Sequence, residues 1–523
     1  MSSKGKKRLI IAASVVGVLA ILSLWVVPSL VDLNRYRPQV AALLEKETGK
    51  PARIGHLKLT IFPHLAIQVD NFVLGNPQGF PGGDFINTLR IYALVDAGAL
   101  WDRQIVIKSL VIEDPVLHLL CGPGGHWNFE NPPKKVSGTT TPSQSQPAVF
   151  SLGEISKITL DGGVVTVANL LPSREAGPIY FEAQKISCDF KNVNLSAATA
   201  APPSAMLDRA KPLLAGLGSP TIVYAEQPAS QAPPVAQGSF KADSLRFGAI
   251  QATAVESHVW VFAKQAYLDK INFKLAGGSA EGKAAFDYSG QNPHFNIRTI
   301  FDKIDVAQLA QAFPNARGKM TGTMKGNLDV QGDAGHSEDP LSGLVGTGQV
   351  IIRNGKMPSL QLSRNLMTLA RFAGLGSSSG DPAAFSLVSA DLNLANQVLT
   401  SHNIKIVSND VDVDGSGNLA LAGAGKMNYT GVAKLAARQT GLTDLVANIS
   451  GATYSNGKLS FPFDLVGTLE NPRFLLKSGG RVLGGFSKTS PAAGGQGSNP
   501  SDLVQGLTNL FRKKKAPAPP PKP

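Results

Sequence analysis

Two-residue alternation of apolar and polar side chains, repeated along most of the chain, limits its fold more than any other feature. Leu57, Leu59 and Ile61 alternate with Lys58 and Thr60; Leu65, Ile67 and Val69 alternate with Ala66, Gln68 and Asp70. The pattern returns at Ile158 and Leu160, at Ile271, Phe273 and Leu275, and over Met320–Val330, where Met320, Met324 and Leu328 share a face. It continues at Ile404 and Ile406, then at Val411 and Val413. This period marks strands with one buried and one wetted face. Asp161-Gly162, Gly277-Gly278, Asn354-Gly355, Asp414-Gly415 and Asn456-Gly457 read as hairpin turns between them. Helical periodicity is confined to 33–47, 305–313, 359–372 and 502–511. With 54 Gly, 35 Pro and 7% aromatic residues, a mainly β chain rich in turns is expected.

So many half-apolar strands pose a physical problem, because something must cover their apolar faces and the helices are too few. A second sheet can do so, giving a sandwich. Alternatively the sheet curls and its apolar face stays open to an apolar ligand, each buried methylene contributing ~0.8 kcal/mol. The alternation alone leaves both open.

The two ends are distinct from the body. Leu9 to Val27 is a 19-residue apolar run, interrupted only by Ser14, Gly17 and Ser23. It is long enough to cross a hydrocarbon core of ~30 Å. Lys4, Lys6, Lys7 and Arg8 precede it and place the N-terminus on the cytoplasmic side. No small-x-small cleavage site follows, so an uncleaved single-pass anchor is expected. At the other end, Arg512 to Lys515 and Lys522 precede and close a Pro-rich tail. These two ends hold nine basic residues against a net charge of +13. No basic stripe interleaved with aromatics remains in the body, which argues against nucleic-acid binding.

The organisation expected is a basic stub and anchor at 1–31, an N-terminal module at 32–133 and a linker at 134–149. A middle β region follows at 150–290, with a disordered insertion at 196–238. A C-terminal β module occupies 291–477, and 478–523 is linker, short amphipathic helix and tail. Cys121 and Cys188 can form one bridge or remain two buried thiols.

The segment "LNRYRPQVAALLEKETGKPARIGHLKLTIFPHLAIQVDNFVLGNP", residues 33–77, resembles the opening of the AsmA family, relatives of TamB. It holds a helix, a Thr-Gly-x5-Gly step, and "FP" and "LGNP" turns. "IVIKSLVIEDPVLHLLCGPGGHWNFENP", residues 105–132, is similar to a second family segment, with the order His126-Trp127-Asn128-Phe129 as a slight departure. "NARGKMTGTMKGNLDVQG" and "FPFDLVGTLENPRF" resemble its C-terminal module. The resemblance implies an elongated, curled antiparallel β-groove, apolar inside, standing in the periplasm of a Gram-negative cell behind an inner-membrane helix. It implies movement of phospholipid toward the outer membrane, the acyl chains being the ligand. The alternative is a non-enzymatic assembly factor that binds outer-membrane proteins or their machinery through strand edges. The candidate groove residues are Leu57, Leu59, Ile61, Leu65, Ile67, Val69, Ile158, Leu160, Ile271, Phe273, Leu275, Met320, Met324 and Leu328.

No catalytic or metal centre and no cofactor is expected. Asp410-x-Asp412-x-Asp414-Gly415 matches half of a calcium loop, but Leu421 stands where the closing Glu belongs. Gly376-x-Ser378-x-Gly380 lies in a Gly/Ser run with no buried strand before it. The eight histidines are scattered.

Overall fold

Gly49 and Gly55, the two glycines of the Thr-Gly-x5-Gly step, explain the first local structure. A short 3-10 turn, Leu33–Tyr36, leads into helix α1, Arg37–Thr48, with Pro38 in its first turn. Gly49 stops the helix in the left-handed conformation, φ 66°. Gly55 lies in the next strand, where an added Cβ would fall 2.7 Å from the Asp70 carbonyl oxygen. Leu43 projects to solvent rather than joining Val40 and Leu44, which are half-buried.

The computed structural model describes residues 32–130, 150–194, 234–358, 381–478 and 481–486. Short gaps fall at 61–64, 97, 99–104, 124, 152–153, 291–292, 334–342, 382, 410, 442, 445–446 and 448–451. The run 9–27 with Lys4, Lys6, Lys7 and Arg8, Ile61, the helical segments 359–372 and 502–511, Gly376 to Gly380, and Asp410 lie outside the described residues. So do the linker 134–149 and the basic tail. Among the described residues no helix is long and apolar enough to cross a membrane. The described chain is mainly β, with 23 strands. It divides into two compact units, Met1–Phe273 with Lys283–Phe295, and Lys274–Gly282 with Asn296–Pro523.

The first unit begins with β1 (Ala52–Thr60), β2 (Ala66–Gly75), β3 (Asp84–Val95), β4 (Ile105–Glu113) and β5 (Val116–Cys121). After β6 (Phe150–Ser151) come β7 (Glu154–Leu170), β8 (Ala176–Asn194), β9 (Ala236–Phe247), β10 (Ile250–Val261) and β11 (Gln265–Leu275). β9 starts at Ala236, inside the stretch expected to be disordered. Antiparallel ladders join β1–β2–β3–β4 and β7–β8–β9–β10. The step between the two sets is parallel, which corrects the expected all-antiparallel sheet. β4 pairs with β7 from Ser109↔Lys157 to Glu113↔Asp161, and β5 continues along the same strand from Val116↔Val164 to Cys121↔Asn169. Residues 122–153 are long enough for the crossover that a parallel pair needs.

Asn128 ties this crossover down. It is fully buried, and its side chain accepts from the Leu120 N–H at 3.0 Å. It donates to the His118 carbonyl at 2.7 Å and to Asn76 Oδ1 at 2.8 Å. The His126-Trp127-Asn128 segment and the "LGNP" turn, far apart in sequence, are therefore two halves of one contact.

The second unit carries β13 from Asn296 onward, α2 and all later strands, while β12 (Gly278–Asp287) is divided between the units and the end of β11, from Lys274, falls in the second. β13 is His294–Asp305 and α2 is Val306–Ala310, capped by the Asp305 side chain. β14 (Thr323–Asp333), β15 (Val345–Lys356), β16 (Ala384–Ala395), β17 (Val398–Val407), β18 (Val411–Ala420) and β19 (Lys426–Ala436) follow. β20 (Thr453–Ser455), β21 (Lys458–Thr468), β22 (Pro472–Ser478) and β23 (Arg481–Phe486) complete it. β23 lies inside the stretch read as linker. The described pairings from β14 to β23 are all antiparallel, with β19 bonding directly to β21.

Single left-handed residues inside strands shape both units. Lys185 and Asn192 in β8, Ala254 in β10, Lys303 in β13, Asn354 in β15 and Asn403 in β17 all have φ between 49° and 56°. Each of them is exposed, as is the residue before it. The inward set then changes parity: in β10 it runs Ile250, Ala252, then Val255, Ser257, Val259. In β8 it runs Phe181, Ala183, then Ile186, Cys188, Phe190, then Val193. Such a kink bends the strand and increases its twist while one face stays inward. Three dipeptides read as hairpin turns sit within strands instead: Asp161-Gly162 in β7, Asn354-Gly355 in β15 and Asp414-Gly415 in β18. At the first two the positive φ that a hairpin needs serves a kink. Gly277 and Asn456-Gly457 do turn hairpins. Ala254 bears the Cβ strain of this conformation without the local hydrogen bonding open to Asn. Ala254→Gly is expected to stabilise the protein by ~1 kcal/mol, read from the urea midpoint; a loss of stability would contradict the kink's geometry.

Candidate functional site

Following the strand registers gives a row of side chains that crosses the first unit. Leu57 lies opposite Val69, Val69 opposite Ile91 and Ile91 opposite Ile112. Ile112 pairs with Leu160, Leu160 with Cys188, Cys188 with Phe240 and Phe240 with Ser257. A second row runs Leu59, Ile67, Ala93, Leu110, Ile158, Phe190, Gly238 and Val259 through the same ladders. Directly paired residues share a face. Eight strands at ~4.8 Å spacing make each row about 34 Å long.

These rows are apolar but not closed. Leu57, Ala93, Cys188, Ser257 and Val259 are buried. Leu59, Ile67, Val69, Ile91, Leu110, Ile112, Ile158, Leu160, Phe190 and Phe240 are only half-buried. Most of them stand on strands with hydrogen-bonded neighbours on both sides, where a covering layer would remove them from water. Among the described residues the face is therefore a partly open apolar surface, with Ile158 and Phe190 also packed against a buried cluster of Ile155, Val193 and Ala236.

The opposite face is polar. Lys58 pairs with Asp70 at 3.0 Å, Asp70 with Arg90 at 3.3 Å and Arg90 with Glu113 at 3.1 Å, one ladder over four strands. Lys157–Asp189 and Lys241–Glu256 continue this at 2.8 Å each, and Arg246 binds Glu182. Hydrogen bonds from Arg246 and Gln184 hold the Glu182 carboxyl below its ordinary value of 4.5. Those from Lys157 and Thr159 hold Asp189 below 3.8. Both groups are depressed by folding, so their stabilisation is complete above the unfolded values and is lost as pH falls through the folded ones. The urea midpoint is expected to fall as pH drops from about 5 to about 3, and an unchanged midpoint would contradict this.

The other predicted residues divide clearly. Leu65 is half-buried just before β2. In β11, Ile271 is buried and Phe273 and Leu275 are half-buried, with Asn272 and Lys274 exposed between them. Met320 and Met324 do not share the open face. They pack in the second unit against a covered cluster of Val306, Ile352, Met357, Phe385 and Val388, with α2 supplying Val306. Leu328 is 38% exposed. Burial deepens along the Met324 row: Met324 lies opposite Ile352, then Val388, Ile406, Val413, Ala433 and Phe461; Met324 and Ile406 are half-buried and the last two have no exposure.

Ile91, Ile112, Phe190 and Phe240 belong to the open rows but were absent from the sequence-based set. The alternation of 105–113 contains Ile112. Cys121 and Cys188 are both buried thiols outside any disulfide. They lie opposite Asn169 and Leu160, some nine residues apart along β7, too far for a bridge. Burial and the neighbouring Asp189 push the Cys188 thiol up to about 11. Among the described residues no three His, Cys, Asp or Glu side chains gather as a metal site.

A comparison with curated proteins finds no match, and a comparison with solved structures finds none. The model of the AsmA family matches residues 1–174 and 224–404. That is well over half of the chain, and it includes the strands that carry both open rows except β8, which falls in the unmatched stretch 175–223. The chain belongs to the AsmA family, whose members are associated with the cell envelope.

Proposed function

We propose that the open rows of the first unit line a groove for the acyl chains of phospholipid. In this reading the protein is held in the inner membrane by residues 9–27, with its body in the periplasm. It moves phospholipid toward the outer membrane and has no enzymatic activity of its own. The observation that carries the reading is the half-buried state of ten large apolar side chains aligned across neighbouring strands. An acyl chain laid along them gains ~0.8 kcal/mol for each methylene removed from water. The salt-bridged outer face keeps such a sheet soluble. Family membership supports an envelope setting, and the basic residues before the apolar run support the orientation.

The test is lipid mass spectrometry of the full chain purified in detergent. Phospholipid retained in stoichiometric amount is the expected result. A folded protein that carries detergent alone after exchange into lipid nanodiscs and re-extraction would remove the reading.

A further inference from the structure

Among the described residues the outward edge of β1 is met by side chains of the 3-10 turn and α1, not by a strand. The Leu57 N–H donates to Asn34 Oδ1 at 3.0 Å. The Ile54 carbonyl accepts from Nε and Nη2 of Arg37, at 3.0 and 2.6 Å. The Ala52 N–H donates to Glu45 Oε1 at 3.0 Å. Along the edge, an acceptor, a donor and an acceptor meet a donor, an acceptor and a donor. A neighbouring strand offers its backbone groups in the same alternation.

The segment that supplies these groups buries little of itself. Every residue from 32 to 48 whose exposure is described is half-buried or exposed. Leu43 is 53% exposed and Tyr36 40%. Packing of an apolar stripe, the usual reason for a helix to dock on a sheet, is weak here. The polar contacts to the edge are what the segment contributes. β1 itself is a nine-residue strand that pairs with β2 on its other side at every residue but Gly55. Left uncovered, it would present a row of free backbone groups that templates strand addition.

We propose that residues 32–48 are an edge guard. Asn34, Arg37 and Glu45 stand in for a strand and keep β1 from pairing with an extended strand of another polypeptide, in the first place β1 of a second copy of this chain. The strand-edge mode of client binding is thereby closed at β1, whatever the apolar face holds.

The test uses the full chain in detergent with Asn34→Ala, Arg37→Ala and Glu45→Ala combined, and Lys58→Cys as a reporter on β1. Particle mass is read by light scattering, with detergent subtracted. The guarded chain with Lys58→Cys alone is expected to keep the wild-type mass. The unguarded chain is expected to show about a doubling of mass and a disulfide-linked dimer through residue 58. Wild-type mass and no crosslink, with β-sheet circular dichroism unchanged, would overturn the proposal. Should the triple variant lose its fold, Arg37→Ala alone removes two of the four hydrogen bonds. A native spectrum with no rise in mass or crosslinking for that variant would also overturn it.

Discussion

Ile112→Asp is expected to abolish phospholipid binding while the protein stays folded. Ile112 stands near the centre of the open row, between Ile91 and Leu160, and is half-buried. A carboxylate there keeps part of its hydration, so the penalty for burying a charge is largely avoided. The same carboxylate interrupts the apolar floor on which an acyl chain would lie. Retained lipid is expected to fall at least about tenfold, which corresponds to ~1.4 kcal/mol and is less than two methylenes of lost contact. Circular dichroism and the urea midpoint should change little. Met324→Asp supplies the contrast, because Met324 packs against the covered cluster around Val306 and Ile352. It is expected to lower stability by ~1–3 kcal/mol. If Ile112→Asp unfolded the first unit, the face would be a closed core.

Phe461→Ala is expected to cost ~3–5 kcal/mol of stability. Phe461 has no exposure and sits among Val413, Ala433, Leu435, Leu459 and Phe474. Phe463 and Phe474 stack beside it with ring centroids 4.7 Å apart. Truncation leaves a cavity that the surrounding strands β18, β19 and β21 cannot fill without breaking ladder bonds. Hydrogen exchange should show the loss as faster exchange in those strands. A change below about 1 kcal/mol would mean that this end of the second unit is loosely packed.

Much of the strand content was legible because period two survives any tertiary arrangement. Leu57, Leu59, Ile67, Val69, Ile158 and Leu160 were identified by alternation alone, and the registers bring all six onto the two open rows. The kinks were not legible as such. Asn354-Gly355 and Asp161-Gly162 carry the residues that a hairpin needs, since both features require positive φ, and local sequence does not say whether the chain reverses or only bends. The parallel β4–β7 step was also hidden, because pairing direction depends on where the crossover of 122–153 returns the chain. Whether an apolar face is open or covered was the least legible property. Met324 and Ile112 present the same alternation and are both half-buried; Met324 packs against a buried cluster to which the five-residue helix α2 contributes Val306, which its local sequence does not reveal.

Acyl-chain contact with the open face is tested by photocrosslinking in cells, with benzoylphenylalanine at position 112 and, as a control, at position 241 on the polar face. A phospholipid mass adduct is expected at 112 and none at 241. A folded protein that crosslinks at 112 only to polypeptide, or gives no lipid adduct there, would contradict that contact.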